Sequence, residues 1–188
     1  PGWSRLGLML LSRKRPRKPV GWRREAMRRH LAPVARWKEG VAAARTGAVS
    51  AMIDVSDGLL PDLTHLLEGG GMGAVLDEKS FRLSAKFRKA AAELGADPVA
   101  AFLAGGEDYE LLMAIRPRRI EAFRRAARRF PSGAVPIGVV TGDPGIRVRC
   151  ADGTWITGDR LPRGFSHFSP SVPPGASEGK LPVRRRKS

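Results

Sequence analysis

The stretch 51–67 changes its hydrophobic rhythm twice. Ala51-Met52-Ile53 is a short apolar run that ends on Asp54, Ser56 and Asp57, and from Leu59 onward apolar positions return at Leu63, Leu66 and Leu67. That spacing of i, i+4, i+7 and i+8 is one face of an α-helix. The pattern predicts a strand, a tight turn and a helix, closed by Gly69-Gly70-Gly71 where positive φ is needed. The rest of the chain is organised around this unit.

Upstream, Gly7 to Leu11 reads as the end of a helix, and Trp22 to Leu31 as a second helix with Trp22, Met27 and Leu31 facing inward, stopped by Pro33. Val41 to Ala44 is an apolar patch leading through Gly47 into the first strand. Downstream, Gly73 to Asp77 is a short strand. Ser84 caps a helix that Gly95 closes after Leu94, and Asp97-Pro98 starts another over Val99 to Leu103. Gly105-Gly106 turns the chain into a strand over Tyr109 to Ile115, and Ile120, Phe123, Ala127 and Phe130 form one helical face. Val135 to Thr141 is a strand, and Ile146 to Cys150 joins Thr154 to Thr157 as a hairpin through Ala151-Asp152-Gly153. Strands and helices mixed without strict alternation predict an α+β domain, a mixed sheet flanked by helices.

Charge divides the chain further. The formal net charge is +16, which taken alone suggests a nucleic-acid binder. By segment, residues 1–45 hold 13 Lys and Arg against 2 acids, residues 46–168 hold 16 against 15, and residues 169–188 hold 5 against 1. The centre is nearly neutral and the basic excess sits at the ends. The basic, proline-broken run Ser12 to Pro19 lacks interleaved aromatics and reads as a solvated loop, as do the arginines around the 120–130 helix, so a nucleic-acid partner is not expected. We assign residues 1–21 to a basic remnant or linker from a preceding domain, 22–168 to one domain, and 169–188 to a disordered basic tail. The single Cys150 fits a small buried residue and a reducing, cytoplasmic setting. Leu6 to Leu11 is too short for a membrane anchor or a secretion signal. A first residue of Pro1 rather than Met suggests a processed or partial product.

The candidate chemistry lies in two acidic turns. Free backbone N–H groups at a helix N-terminus attract anions, and Asp54 and Asp57 offer hard oxygen ligands for a cation such as Mg²⁺. One turn can therefore hold both parts of a metal–phosphate ligand. The plain alternative is a capped helix start, which contributes about 1 kcal/mol with no ligand at all. The second turn, Gly105-Gly106-Glu107-Asp108-Tyr109-Glu110, favours the ligand reading, because paired glycines let backbone approach closely beside three more acids.

These motifs together, Asp54-Val55-Ser56-Asp57-Gly58-Leu59 and Gly105-Gly106-Glu107-Asp108-Tyr109-Glu110-Leu111, closely resemble those of thiamine-monophosphate kinase. Arg29-His30-Leu31-Ala32-Pro33 and the closing Gly164-Phe165-Ser166-His167-Phe168 resemble the same family, so the likeness runs from about Gly7 to Phe168. The resemblance implies the C-terminal fold of the aminoimidazole ribonucleotide synthetase-like superfamily, and transfer of the γ-phosphoryl of ATP to thiamine phosphate with Mg²⁺. It implies Asp54 and Asp57 as metal ligands, Ser56 as an ATP contact, and Glu107 and Phe165 as substrate contacts. Read by themselves, Asp108 and Glu110 are structural or solvent-facing, His65 is a packing or capping residue, and His167 belongs to the closing signature without a catalytic role. The resemblance further implies a homodimer in the intact family and an N-terminal ATP-binding domain that this chain lacks, without which turnover is not expected. Two competitors remain: another ATP-dependent enzyme of the superfamily, acting on aminoimidazole ribonucleotide precursors, selenide or hydrogenase maturation, and a basic nucleic-acid-binding protein.

Overall fold

The computed structural model describes residues 1–13 and 20–162. Its helices are α1 (Trp3–Leu11), α2 (Trp22–Leu31), α3 (Trp37–Ala44), α4 (Leu59–Glu68), α5 (Ala85–Leu94), α6 (Pro98–Ala104) and α7 (Ile120–Ala127). Its strands are β1 (Val49–Asp54), β2 (Gly73–Asp77), β3 (Leu111–Ile115), β4 (Gly138–Thr141), β5 (Gly145–Arg149) and β6 (Trp155–Thr157). The chain is α+β, but the strands divide into two sheets. β1 pairs antiparallel with β3, and a separate four-stranded mixed sheet has the order β4-β2-β5-β6, with β2 and β5 parallel.

Two apolar clusters hold these elements. In one, Leu6, Leu10 and Ala26 of α1 and α2 pack with Phe87, Ala90, Ala91 and Leu94 of α5 and Ala101 of α6. The segment 1–21, assigned from sequence to a linker, thus contributes α1 to the packed body, with Leu6 completely buried. Full burial of one leucine is worth about 1.5–3 kcal/mol, so this helix is not a passive lead-in. Gly7 makes the α1–α2 crossing close. A Cβ there would collide with the Ala26 carbonyl and lie 2.9 Å from Cβ of His30. The fully buried residue of α2 is Ala26, with Trp22 and Met27 packed beside it as expected, while Leu31, expected inside, is 67% exposed. Large side chains do not fit where helices approach over a glycine.

The other cluster joins Leu59, Leu60, Leu63 and Leu67 of α4 to Ala74 and Leu76 of β2, Phe102 and Leu103 of α6, Leu112 of β3 and Val148 of β5. The apolar periodicity that predicts α4 is the periodicity that buries it. The predicted caps also form: Ser84 Oγ accepts from Phe87 N at 3.1 Å, Asp97 Oδ1 accepts from Ala100 N, and Gly95 closes α5 at φ 72°. After α4 only Gly71 of the three glycines has positive φ, and Gly69 stays right-handed.

Some boundaries move. The 41–44 patch is the end of α3, which packs against β1 and α7. β4 begins at Gly138 rather than Val135, and β3 begins at Leu111 rather than Tyr109. The latter has a local cause: Glu107 and Tyr109 adopt φ of 61° and 50°, which no strand accommodates. The arginines around α7 are exposed, as a solvated face requires. Among the described residues no helix is long and apolar enough to cross a membrane.

Candidate functional site

β1 carries the chain to Asp54, exposed at its end; Val55 then turns inward and is 1% exposed, and Ser56, Asp57 and Gly58 lead into α4. Sequence reasoning leaves the backbone N–H groups of this turn free for a phosphate. They are not free. One oxygen of Asp62, Oδ2, accepts from Ser56 N at 2.9 Å, Asp57 N at 3.1 Å and Gly58 N at 3.2 Å. Asp62 stands in the first turn of α4 and is 2% exposed. Burial raises its carboxyl above the ordinary range, three amides pull it down, and the charge of Asp57 raises it again, with a net upward shift. The turn thus has its own internal anion, which fixes its shape; Asp54 is exposed, and Ser56 and Asp57 are half-buried. Sequence reasoning gave Asp62 no role in shaping the turn. The only signal for it was a carboxylate in the first helical turn following a Ser/Asp/Gly turn.

The second acidic turn lies directly against the first. Glu107 N donates to Ser56 O at 2.6 Å, Tyr109 N donates to Val55 O at 2.9 Å, and Val55 N donates to Glu110 O at 2.8 Å. Gly106 permits this approach, because a Cβ there would press on the Ser56 carbonyl and lie 3.1 Å from the Asp57 carbonyl carbon. The positive φ of Glu107 and Tyr109 stores roughly 1–3 kcal/mol of strain at each residue. Such strain persists only where the surroundings over-determine the backbone, and here three inter-turn hydrogen bonds do so.

The acids of the second turn have separate fates. The carboxylate of Asp108 accepts from Gly2 N and, at 3.1 Å, from Ser4 N, and so caps α1 from a distance. Burial pushes its carboxyl up despite these amides. Glu110 is held by Arg36 Nη2 at 3.2 Å, with Arg29 Nη1 at 3.8 Å. Both side chains are thus engaged in holding the fold. Glu107 is 56% exposed, with Oε2 3.1 Å from His30 Nδ1. Of the residues singled out from sequence, Asp54, Ser56, Asp57 and Glu107 sit on two joined turns. Phe165 and His167 lie outside the described residues. His65 is on the surface, 58% exposed, with Nδ1 3.5 Å from Glu68 Oε2.

Among the described residues no group of three or more His, Cys, Asp or Glu side chains is placed to cage a metal ion. What the turn offers is a pair of carboxylates with no nitrogen or sulfur donor. That set suits a magnesium ion sharing its remaining positions with phosphate and water, the usual arrangement for this ion. A cavity of about 380 Å³, lined by Arg13, Trp22, Arg23, Glu93 and Leu94, lies on the α2–α5 side, away from these turns.

Residues 9–151 match the family model of AIR synthase related protein, C-terminal domain. The chain is 46% identical over 89 residues to thiamine-monophosphate kinase of Mycobacterium tuberculosis, covering 47% of this chain and 26% of that protein. It is 30% identical over 169 residues to thiamine-monophosphate kinase of Aquifex aeolicus, covering 89% of this chain and 49% of that one. The structure of AaThiL complexed with AMPPCP and TMP superposes with a TM-score of 0.66 at 28% identity, over 89% of this chain and 48% of that chain. The chain spans between about a quarter and a half of the length of these relatives. The match begins at residue 9, inside α1, which agrees with the packing of that helix into the body. With two joined acidic turns on an α+β framework and a family model spanning most of its length, the chain belongs to the AIR synthase related proteins, as a C-terminal domain of that family and similar to thiamine-monophosphate kinases.

Proposed function

We propose that this chain is the substrate-side portion of a thiamine-monophosphate kinase, the enzyme that transfers the γ-phosphoryl of ATP to thiamine phosphate to give thiamine diphosphate and ADP. The observation that supports the reading is the backbone junction between the two acidic turns, where Glu107 N donates to the carbonyl of Ser56, the residue that stands between Asp54 and Asp57 in the first motif. A phosphoryl donor and an acceptor must meet, and the residues proposed for each lie on two turns joined by this seam. Further support comes from the kinase relatives and from the AaThiL complex with AMPPCP and TMP.

In this reading Asp54 and Asp57 hold Mg²⁺ and Ser56 contacts ATP. Magnesium supplies charge neutralisation for the polyphosphate when bound. Asp62 keeps the turn in shape by occupying its amides, so the nucleotide is met by side chains rather than by the backbone. Glu107 and Phe165 receive the thiamine phosphate, Glu107 through its charge and Phe165 by stacking. Phosphoryl transfer of this kind depends on positioning and electrostatic complementarity more than on covalent participation by the protein. Donors on one side of the nucleotide do not suffice, so the isolated chain binds its ligands without turnover, and the intact cytoplasmic enzyme needs the remainder that its longer relatives contain.

Calorimetry of the purified chain with thiamine phosphate, and separately with Mg-ATP, tests this. Asp54→Asn should weaken the nucleotide response by about tenfold, a loss of about 1.4 kcal/mol, and leave the vitamin response nearly unchanged. Equal loss of both, or of neither, contradicts the assignment. Thiamine diphosphate formed by the isolated chain at the rate of an intact kinase contradicts the need for a further portion.

A further inference from the structure

Glu107 and Glu110 stand three residues apart in one turn, yet they are held by chemically different partners. Glu110 faces two guanidiniums, which cancel its charge. Glu107 faces an imidazole. His30 Nδ1 lies 3.1 Å from Glu107 Oε2 and 2.9 Å from Ser4 Oγ. A carboxylate only accepts hydrogen bonds, so a ring proton on Nδ1 is the one that would face both the carboxylate and the hydroxyl oxygen. An imidazole at this position orients the carboxylate, whereas a guanidinium adds a fixed charge that cancels it.

The support beneath His30 is firm. Ser4 is fully buried, and its own N–H is anchored on Asp108. His30 is 14% exposed and rides on α2, which approaches α1 across Gly7 with no room for a side chain between them. Glu107 itself is more than half exposed, and only its Oε2 is engaged by the histidine. The other oxygen is left to solvent or ligand. A carboxylate that is exposed, oriented and uncompensated is suited to a cation.

We propose that His30 is a positioning residue that presents Glu107, with its negative charge intact, to the cationic ring of the acceptor substrate, and that Ser4 fixes the ring that does so. This rests on the reading of Glu107 as a substrate contact. Its signature is discrimination by charge: thiamine phosphate should bind more tightly than the isosteric analogue in which a neutral thiophene replaces the thiazolium. His30 sets that preference without contributing to affinity for the neutral analogue.

Two measurements on the full chain test this separately. Nitrogen-15 NMR of the His30 ring should show a protonated Nδ1 and an unprotonated Nε2, with ring shifts that move in Glu107→Gln. A proton on Nε2, or shifts indifferent to Glu107→Gln, overturns the positioning role whatever the ligand does. Calorimetry should show a preference of about tenfold for the cationic ligand in the wild type. That preference should be lost in His30→Ala and His30→Lys and kept in His30→Gln, which retains a donor, while the neutral analogue binds all four proteins alike. Preference retained in both His30→Ala and His30→Lys overturns the proposal. An intact histidine contact with thiamine phosphate affinity indifferent to Glu107→Gln overturns the reading of Glu107 itself, and with it this role for the contact. Circular dichroism confirms that each variant is folded, and His30→Gln serves as the folded control for the other two.

Discussion

The two acidic turns look alike in sequence and are built in opposite ways. The first is local: its shape is set by Asp62, within six residues of every amide that it accepts from. The second is set from far away, by Gly2 and Ser4 amides on Asp108, by His30 on Glu107 and by Arg36 on Glu110, at separations of 74 residues and more. The first turn is a self-contained cap that any fragment including β1 and α4 would carry. The second is bonded to the first through its backbone, but its side chains meet their partners only when α1, α2 and the chain leading into α3 are docked. The side of the site assigned to the acceptor is therefore the conditional one.

The sharpest way to break the first turn is Asp62→Ala. It leaves three backbone donors without their shared acceptor in a half-buried turn, and unsatisfied buried polar groups cost about 1–3 kcal/mol each. Partial rescue by water brings the expected loss to about 3 kcal/mol in chemical denaturation. Nucleotide binding should fall with it. A loss below about 1 kcal/mol would show that the turn is held mainly by its junction with the second turn, and the contrast between local and distant construction would fail.

This difference also explains what the sequence made legible. Hydrophobic periodicity located α4, the Ser84 and Asp97 caps and the hairpin of β5 and β6, because each is decided by residues a few positions apart. The motif residues of the first turn were legible for the same reason. The integration of α1 was not, because its burial depends on Gly7 meeting Ala26 and on α5 lying beneath, neither of which leaves a periodic trace in a nine-residue helix. The early start assigned to the strand, at Tyr109, came from extending the apolar run back to a residue whose left-handed backbone no local pattern signals. The roles of Asp108 and Glu110 as supports were anticipated only in general terms; their partners could be named only from coordinates.

Gly7→Val attacks the second turn from a distance. The side chain would meet the Ala26 carbonyl, which belongs to the backbone and cannot rotate away, so α1 and α2 must separate. Overpacking of this kind costs about 1–3 kcal/mol. Hydrogen exchange should then show Glu107 and Tyr109 amides losing protection while Ser56, Asp57 and Gly58 amides keep theirs. Equal loss at both turns would mean that they open as one unit.

Asp108→Ala removes the cap on α1 and should cost about 1–2 kcal/mol, within the range for lost N-caps. Asp108→Asn carries a sharper, pH-dependent test. Because burial raises the folded carboxyl above its ordinary 3.8, the folded state holds the proton more tightly than the unfolded chain does. The contribution of Asp108 to stability is thus full below 3.8 and is lost as pH rises through the folded value. Relative to Asp108→Asn, which does not titrate, the wild type should be at its best in acid and decline toward neutrality. A difference that grows with pH instead would show that the amides of Gly2 and Ser4 outweigh burial.

The smallest expected effect concerns Glu110. Its partner Arg36 is mostly buried, reaches Glu39 only at 3.8 Å, and has a buried Nε with no hydrogen-bond partner among the described residues. Removing the carboxylate in Glu110→Gln leaves that guanidinium less well compensated, while Gln still offers Arg36 a neutral acceptor. The loss should be about 1 kcal/mol, at the upper end for ion pairs that retain some solvent. A double-mutant cycle with Arg36→Gln should return a coupling of about 0.5–1 kcal/mol, and neither change should alter the preference of the site for a cationic ligand, since the charge of Glu110 is already cancelled. If Glu110→Gln abolishes that preference while Glu107→Gln does not, the two glutamates have exchanged roles, and the charge left exposed by the second turn belongs to the other residue.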